Sequence, residues 1–271
     1  MSSSPSFLSD VAVALFDFDG LLVDTERTHF AAYQEAMQAL PTPHQLDWTF
    51  AEYCQAAHWG EEVLEQALRG TALASFHSGI SWAAFYALKK AAFARLVDSE
   101  RCTRLLPGVD AMLRACRDAA TLTAVVTNSS DELVASVRAV PECDAALALV
   151  QTWFTRGKYT NAKPHPECYI ESTRELLASQ LAAPAADNAA PLIVLAFEDS
   201  PRGLKAIVDA REHFLSSSVV AERCVCLVPV FVTSIFYPEL EDFCGTDFVH
   251  VDTLEQLLAD WTPVVKFTQS H

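Results

Sequence analysis

Glycine is scarce in this chain, with 8 in 271 residues, less than half of the roughly 7% usual in globular proteins. That excludes collagen-like and glycine-rich low-complexity chains, and no G-x-G occurs anywhere. Neither a dinucleotide fingerprint nor a phosphate loop of the G-x-x-x-x-G-K-[ST] kind is available, so any phosphate must be held by other means. Positive charge is also short: 19 Lys and Arg stand against 35 Asp and Glu, a formal charge of −16. There is no basic run, and clustered cations are what nucleic acids and anionic membranes require, so neither partner is expected. Long apolar runs are missing too. The most apolar stretch, 224–237, is broken by Pro229, Thr233 and Ser234 and is too short for a bilayer span. The first residues show no basic region followed by an apolar stretch, which predicts no signal or transit peptide and a cytoplasmic location. The 8 cysteines show no C-x-x-C and no paired metal spacing. In a chain able to bury a full core, that pattern predicts reduced thiols rather than disulfide staples.

What is present is an alternation. Short apolar runs at 11–18, 122–126, 147–150 or slightly beyond, 192–197 and 224–232 read as buried strands. Helical stripes lie between them, as in Val109, Met112, Leu113 and Cys116, or Leu204, Ile207 and Val208. This pattern predicts an α/β fold, a Rossmann-like parallel sheet with helices on both faces. Residues 25–106 depart from it and carry only helical stripes, such as Phe30, Tyr33, Met37 and Leu40, or Trp82, Phe85, Tyr86, Phe93 and Leu96. The expected organisation is therefore a core domain over 10–24 and 107–271 with an inserted α-helical cap over 25–106. Such a cap would sit as a lid over the sheet edge where open α/β folds place their ligands. The alanine-rich stretch 180–191 and the serine run 216–218 read as loops.

Four predicted strand ends carry polar chemistry. Asp17-x-Asp19-Gly20 puts two carboxylates on one side of an extended chain, a hard oxygen site suited to Mg2+. The second strand ends in Thr127-Asn128-Ser129, which alone would read as a helix N-cap region. Lys163 sits in Ala-Lys-Pro-His-Pro, and alone would be a solvated charge. Glu198-Asp199-Ser200 precedes Pro201 and Gly203, and alone could complement a helix dipole. Together, Asp-x-Asp, Thr, Lys and Glu-Asp at the ends of one sheet form a constellation rather than a coincidence.

FDFDGLLVDTE from Phe16, VVTNS from Val125, KPHP from Lys163 and FEDSPRG from Phe197 resemble the four motifs of the haloacid dehalogenase superfamily. The resemblance is to its branch of helically capped phosphatases and β-phosphoglucomutase-like enzymes, and it covers about residues 10 to 260. It implies Asp17 as the nucleophile, forming an aspartyl-phosphate, and Asp19 as the acid and base, with a pKa raised to hold a proton. It implies Mg2+ bound by the Asp17 carboxylate, the Asp19 backbone carbonyl and Asp199, with Glu198 a weaker candidate. Thr127 and Lys163 would bind the phosphoryl oxygens, with Asn128 as an additional donor. In the cap, His58 and Trp59 are candidates for substrate specificity, and His29 could approach the site on closure. After FEDS the chain carries about ten extra residues without glycine before the fifth strand. The expected activity is Mg2+-dependent hydrolysis of a small phosphomonoester (sugar, polyol or nucleotide monophosphate) by a monomer or weak dimer. A phosphoglucomutase-type transfer shares every core residue; a non-catalytic acidic interaction module on the same fold would have lost one, and none is lost.

Overall fold

The computed structural model describes residues 7–41, 43, 45–57, 61–71, 80–100, 103–182, 190–219, 222, 224–233 and 247–270. Six strands form one parallel sheet: β1 (Val11–Phe16), β2 (Leu122–Val126), β3 (Thr152–Phe154), β4 (Leu192–Glu198), β5 (Val225–Val232) and β6 (Val249–Val251), in the order β3-β2-β1-β4-β5-β6. β1 lies at the centre, with Leu15 beside Ala124 of β2 and Ala196 of β4. Its side chains alternate between two apolar clusters, as a strand covered on both faces requires. Ala14 and Phe16 join one cluster, with helices α5 (Val109–Asp118), α6 (Asp131–Arg138), α7 (Pro141–Leu147), α11 (Leu254–Ala259) and α12 (Thr262–Ser270). Val13 and Leu15 join the other, with α8 (Glu167–Leu176) and α10 (Pro201–Ser216). The rings of Phe16 and Phe197 stack at 4.8 Å across the two central strands. The α/β parallel architecture read from the sequence is the observed one. A short helix α9 (Ala178–Leu181) leads out of α8.

One expectation needs correction. Residues 147–150 are not a strand: Pro141 occupies the first turn of α7 and that helix runs through Leu147, because alanine-rich ECDAAL favours helix. The strand begins at Thr152, where β-branched and aromatic Thr-Trp-Phe supplies the sheet former. The extra residues after FEDS are in part helical. DAREHFLS continues α10, which buries Ala210, Arg211 and Phe214 on one side, and β5 then pairs with β4 from Leu192↔Val225 to Glu198↔Phe231.

Between β1 and α5 the described residues form four helices, α1 (Glu26–Gln38), α2 (Phe50–Ala57), α3 (Glu61–Thr71) and α4 (Trp82–Glu100). They enclose a separate cluster that includes Tyr33, Met37, Tyr53, Leu64, Leu68 and Phe85. α4 belongs to both halves, since its Phe93, Leu96 and Val97 join the sheet's cluster. The two chain crossings lie side by side: Val23 bridges antiparallel to Leu105, Asp24 N–H donates to the Arg104 carbonyl and Leu106 N–H to that of Leu22. No helix among the described residues is long and apolar enough to cross a membrane, and Cys54, Cys116, Cys143, Cys168 and Cys226 are free thiols.

Candidate active site

The C-terminal ends of β1, β2 and β4 converge. Asp17 N–H donates to the Phe197 carbonyl at 3.0 Å, continuing the ladder one residue beyond β1 and fixing that carboxylate at the edge. The chain then turns at Gly20, whose φ of +84° suits glycine; a Cβ there would lie 2.4 Å from Asp199 Oδ2. At the end of β4, a Cβ on Gly203 would strike the Glu198 carboxylate. The glycines at these two places let α10 and the β1 loop close on the acids. Asp17, Glu198 and Asp199 offer oxygens within 4.8 Å of one another, all buried.

Lys163 reaches into this group from the loop before α8. Its ammonium donates to Asp17 Oδ1 at 2.6 Å, to Glu198 Oε1 at 2.6 Å and to the Val126 carbonyl at 2.7 Å, spending all three N–H groups. Glu198 is held further by the Tyr169 hydroxyl at 2.8 Å and the Ser200 hydroxyl at 3.1 Å. Burial, and after it the charge of Glu198, pushes the Asp17 carboxyl up to about 7, with Lys163 pulling the other way. Burial disfavours the Lys163 ammonium, but Asp17 and Glu198 outweigh it and keep Lys163 protonated.

Asp19 faces a different set of partners. Oδ1 accepts from the Thr25 hydroxyl at 2.6 Å; Oδ2 accepts from Ser129 at 2.5 Å and from Thr127 at 3.5 Å. His29 Nε2 lies 3.5 Å from Oδ1. Burial would raise this carboxyl, but the donors from His29, Ser129 and Thr25 prevail and hold it below the usual carboxylate range. The raised pKa expected from the resemblance is therefore absent: Asp19 is a carboxylate in this arrangement, because it is surrounded by donors rather than by acids. His29 is neutral. Burial, then the Lys89 charge, bring it down to about 4. Lys89 Nζ lies 2.7 Å from His29 Nδ1; an ammonium has only donors, so it selects the tautomer with its proton on Nε2, facing Asp19.

The structure thus brings together Asp17, Asp19, Thr127, Lys163, Glu198, Asp199 and His29 around one cavity of about 1100 Å3. Asn128 also lines it, but its amide braces the Lys163 loop: Oδ1 accepts from Lys163 N–H and from the Tyr159 hydroxyl, and Nδ2 donates to the Lys163 carbonyl. The expected phosphate donor is committed to positioning Lys163. His58 and Trp59 lie outside the described residues. Sequence reasoning passed over Thr25 and Ser129, although both stand within the recognised motifs. It also passed over Tyr169 and Lys89, which had no local signal, since Lys89 meets His29 from 60 residues away.

This sheet with its converging acids, lysine and helical insertion defines a class of enzyme. A family model of haloacid dehalogenase-like hydrolases matches residues 11–211, and the chain belongs to that family. Among individual relatives, Protein CbbY of Rhodobacter capsulatus is 26% identical over 209 residues, spanning 72% of this chain and 80% of that protein. The crystal structure of CbbY from Rhodobacter sphaeroides in complex with phosphate is 22% identical, with a TM-score of 0.65, covering 91% of this chain and 96% of the other. That of β-phosphoglucomutase from Clostridium difficile is 18% identical, with a TM-score of 0.61, covering 96% and 98%. These two structures share the fold.

Proposed function

We propose that the chain is a Mg2+-dependent phosphatase that hydrolyses a small phosphorylated metabolite through an aspartyl-phosphate on Asp17. One observation carries this reading: Asp17 sits at the junction of Lys163, Glu198 and Asp199, three buried carboxylates around one ammonium. Negative charge exceeds positive there, the donors are all oxygen, and Asp17 is fully ionised at neutral pH only with further positive charge beside it. The donor set fits Mg2+, which Asp17, Asp199, Glu198 and the Asp19 carbonyl would hold. Bound there, Mg2+ would offset charge on the phosphoryl oxygens.

The protein's own groups do the rest. Asp17 attacks phosphorus as the ester oxygen departs; Thr127 binds the phosphoryl oxygens, and Lys163 joins it by turning to them the N–H that it otherwise gives to Asp17 Oδ1. Asp19 protonates the leaving oxygen, then takes the proton of the attacking water. As a carboxylate it is ready for the second half; to serve the first it must take up a proton from solvent as the ester enters, against the pull of His29, Ser129 and Thr25. The helices α1–α4 act as the lid that excludes bulk water.

The test is hydrolysis of p-nitrophenyl phosphate with and without Mg2+. Asp17→Asn should cut turnover by roughly 10^3-fold or more with the fold intact by circular dichroism, and activity that persists in this variant or in EDTA refutes the reading. Turnover of a sugar monophosphate to its isomer, dependent on a bisphosphate primer, would move the assignment to a mutase.

A further inference from the structure

Lys163 and Glu198 share a neighbour that the proposed reaction leaves without a role. Tyr169, in the first turn of α8, is fully buried and turns its ring face to Lys163 Nζ, 4.9 Å from the centroid. Its hydroxyl donates to Glu198 Oε1 at 2.8 Å, the same oxygen that accepts from Lys163 at 2.6 Å. Tyr169 therefore touches both members of the pair. It is not among the residues that line the cavity, so it meets neither the substrate nor the reacting atoms. A buried phenol needs an acceptor, and this one takes a charged oxygen at the centre of the site.

Glu198 accepts from four donors: Oε1 takes Lys163 and Tyr169, and Oε2 takes the Ser200 hydroxyl at 3.1 Å and the Ser200 N–H at 3.4 Å. Of these, Lys163 is the one that has to re-aim, since it gives up Asp17 Oδ1 to reach a phosphoryl oxygen. Its other two N–H groups stay on the Val126 carbonyl and on Glu198 Oε1, and it tilts about those two points. The Val126 carbonyl is fixed by β2. A glutamate side chain can change rotamer and would follow the departing ammonium unless it is tied. The Tyr169 hydroxyl ties Oε1 from a helix turn. It also shares the negative charge of that oxygen, so Glu198 grips the lysine less tightly. The ring adds to this, because its attraction for a cation is weakly directional and survives a small tilt.

We infer that Tyr169 is a positioning residue of the reaction: its hydroxyl holds Glu198 in place while the Lys163 ammonium passes from Asp17 to the phosphoryl group. This rests on the phosphatase reading and adds to it the residue that keeps the lysine mobile. A tyrosine that only filled the core would need its ring, whereas this role needs the hydroxyl. Tyr169→Phe separates the two, because phenylalanine keeps the ring, its packing and its contact with the ammonium. Glu198 retains three of its four donors in that variant, so the fold should survive.

The experiment compares Tyr169→Phe with the wild type, with circular dichroism and Tm reporting that the variant is folded. Inorganic phosphate is titrated calorimetrically into both at Mg2+ concentrations that saturate each protein, which reads the reach of Lys163 to phosphoryl oxygens without turnover. Phosphate should bind the variant several-fold more weakly, because the lysine stays on its acids. For p-nitrophenyl phosphate, kcat/KM should fall about ten-fold. Phosphate affinity and kcat/KM both within about two-fold of the wild type would reduce Tyr169 to core packing and overturn the inference. A fall in kcat/KM with phosphate affinity unchanged would overturn it as well, since the hydroxyl would then act on something other than Lys163. A wild type that leaves p-nitrophenyl phosphate intact refutes the phosphatase reading instead, and the phosphate titration still decides whether Tyr169 governs the lysine.

Discussion

The sheet edge and the inserted helices each bury a lysine, and they hold it by different means. Lys163 is fixed by strand ends: it caps the end of β2 through the Val126 carbonyl and lies between two carboxylates at the ends of β1 and β4, which are paired in the sheet. Lys89 is fixed by side chains. Its ammonium rests near the ring faces of Tyr33, Tyr86 and Phe93, 5.0 to 5.4 Å from their centroids, and against His29 Nδ1. A parallel sheet can place opposite charges within hydrogen-bond reach and keep them there, which the covalent chemistry proposed for Asp17 would need. The helices α1 and α4 offer aromatic faces instead, whose attraction for a cation is less directional, as the proposed lid would require. The sheet edge is therefore the rigid, charge-paired half of the site and the helical insertion the adaptable half.

The sharpest way to break that comparison is to delete each lysine in turn. Lys163→Met should have the larger effect. It leaves Asp17 and Glu198 buried without their cation, a loss of about 3–5 kcal/mol by the usual cost of breaking a buried pair, read as a lower urea midpoint, and it should abolish turnover. An effect below about 1 kcal/mol would show that the acids relax apart, and the edge is not rigid. Lys89→Met should cost less, because methionine fills the same aromatic space. Its clearest readout is His29. With the ammonium gone, burial alone still holds the imidazole down, so its pKa should climb from about 4 toward the ordinary range, as followed by NMR titration of the ring protons. A His29 that stays put would mean that Lys89 does not set its charge.

The same division explains what the sequence made legible. The core carries its chemistry in short runs at the ends of β1, β2 and β4 and in the loop before α8, so Asp17, Asp19, Thr127, Lys163, Glu198 and Asp199 could be found by reading along the chain, and the fold then gathers them. The alternation of apolar runs with helical stripes gave the layered sheet for the same local reason. The third strand was misplaced because AALALV is apolar without being a strand former, and apolar runs alone do not separate a buried helix turn from a strand. In the insertion, contacts join residues on different helices, as with His29 to Lys89 or Glu26 to Tyr53, and no spacing in the chain announces them. The ionised state of Asp19 was hidden for a related reason, since its pKa depends on donors from two segments about a hundred residues apart, Thr25 with His29 and Ser129.

The smallest expected effect tests the adaptable half directly. Glu26 stands in the first turn of α1 and accepts from the Tyr53 hydroxyl at 3.2 Å. Burial, and then the charge of Asp19, push its carboxyl up to about 7 from an ordinary 4.5. A carboxyl whose folded pKa is raised keeps its proton longer in the folded state. Its contribution to stability is thus full below about pH 4.5 and lost as pH rises through about 7. Glutamine does not titrate, so the Tm of Glu26→Gln relative to wild type should climb between pH 5 and pH 8, by about 2–4 °C for a chain of this size. Asp17, which also titrates near neutrality, is present in both proteins and cancels in the difference. A Tm difference that stays flat across this range would mean that α1 swings toward water as Glu26 ionises. The insertion would then relieve its buried charge by moving, where the sheet edge holds its own by pairing.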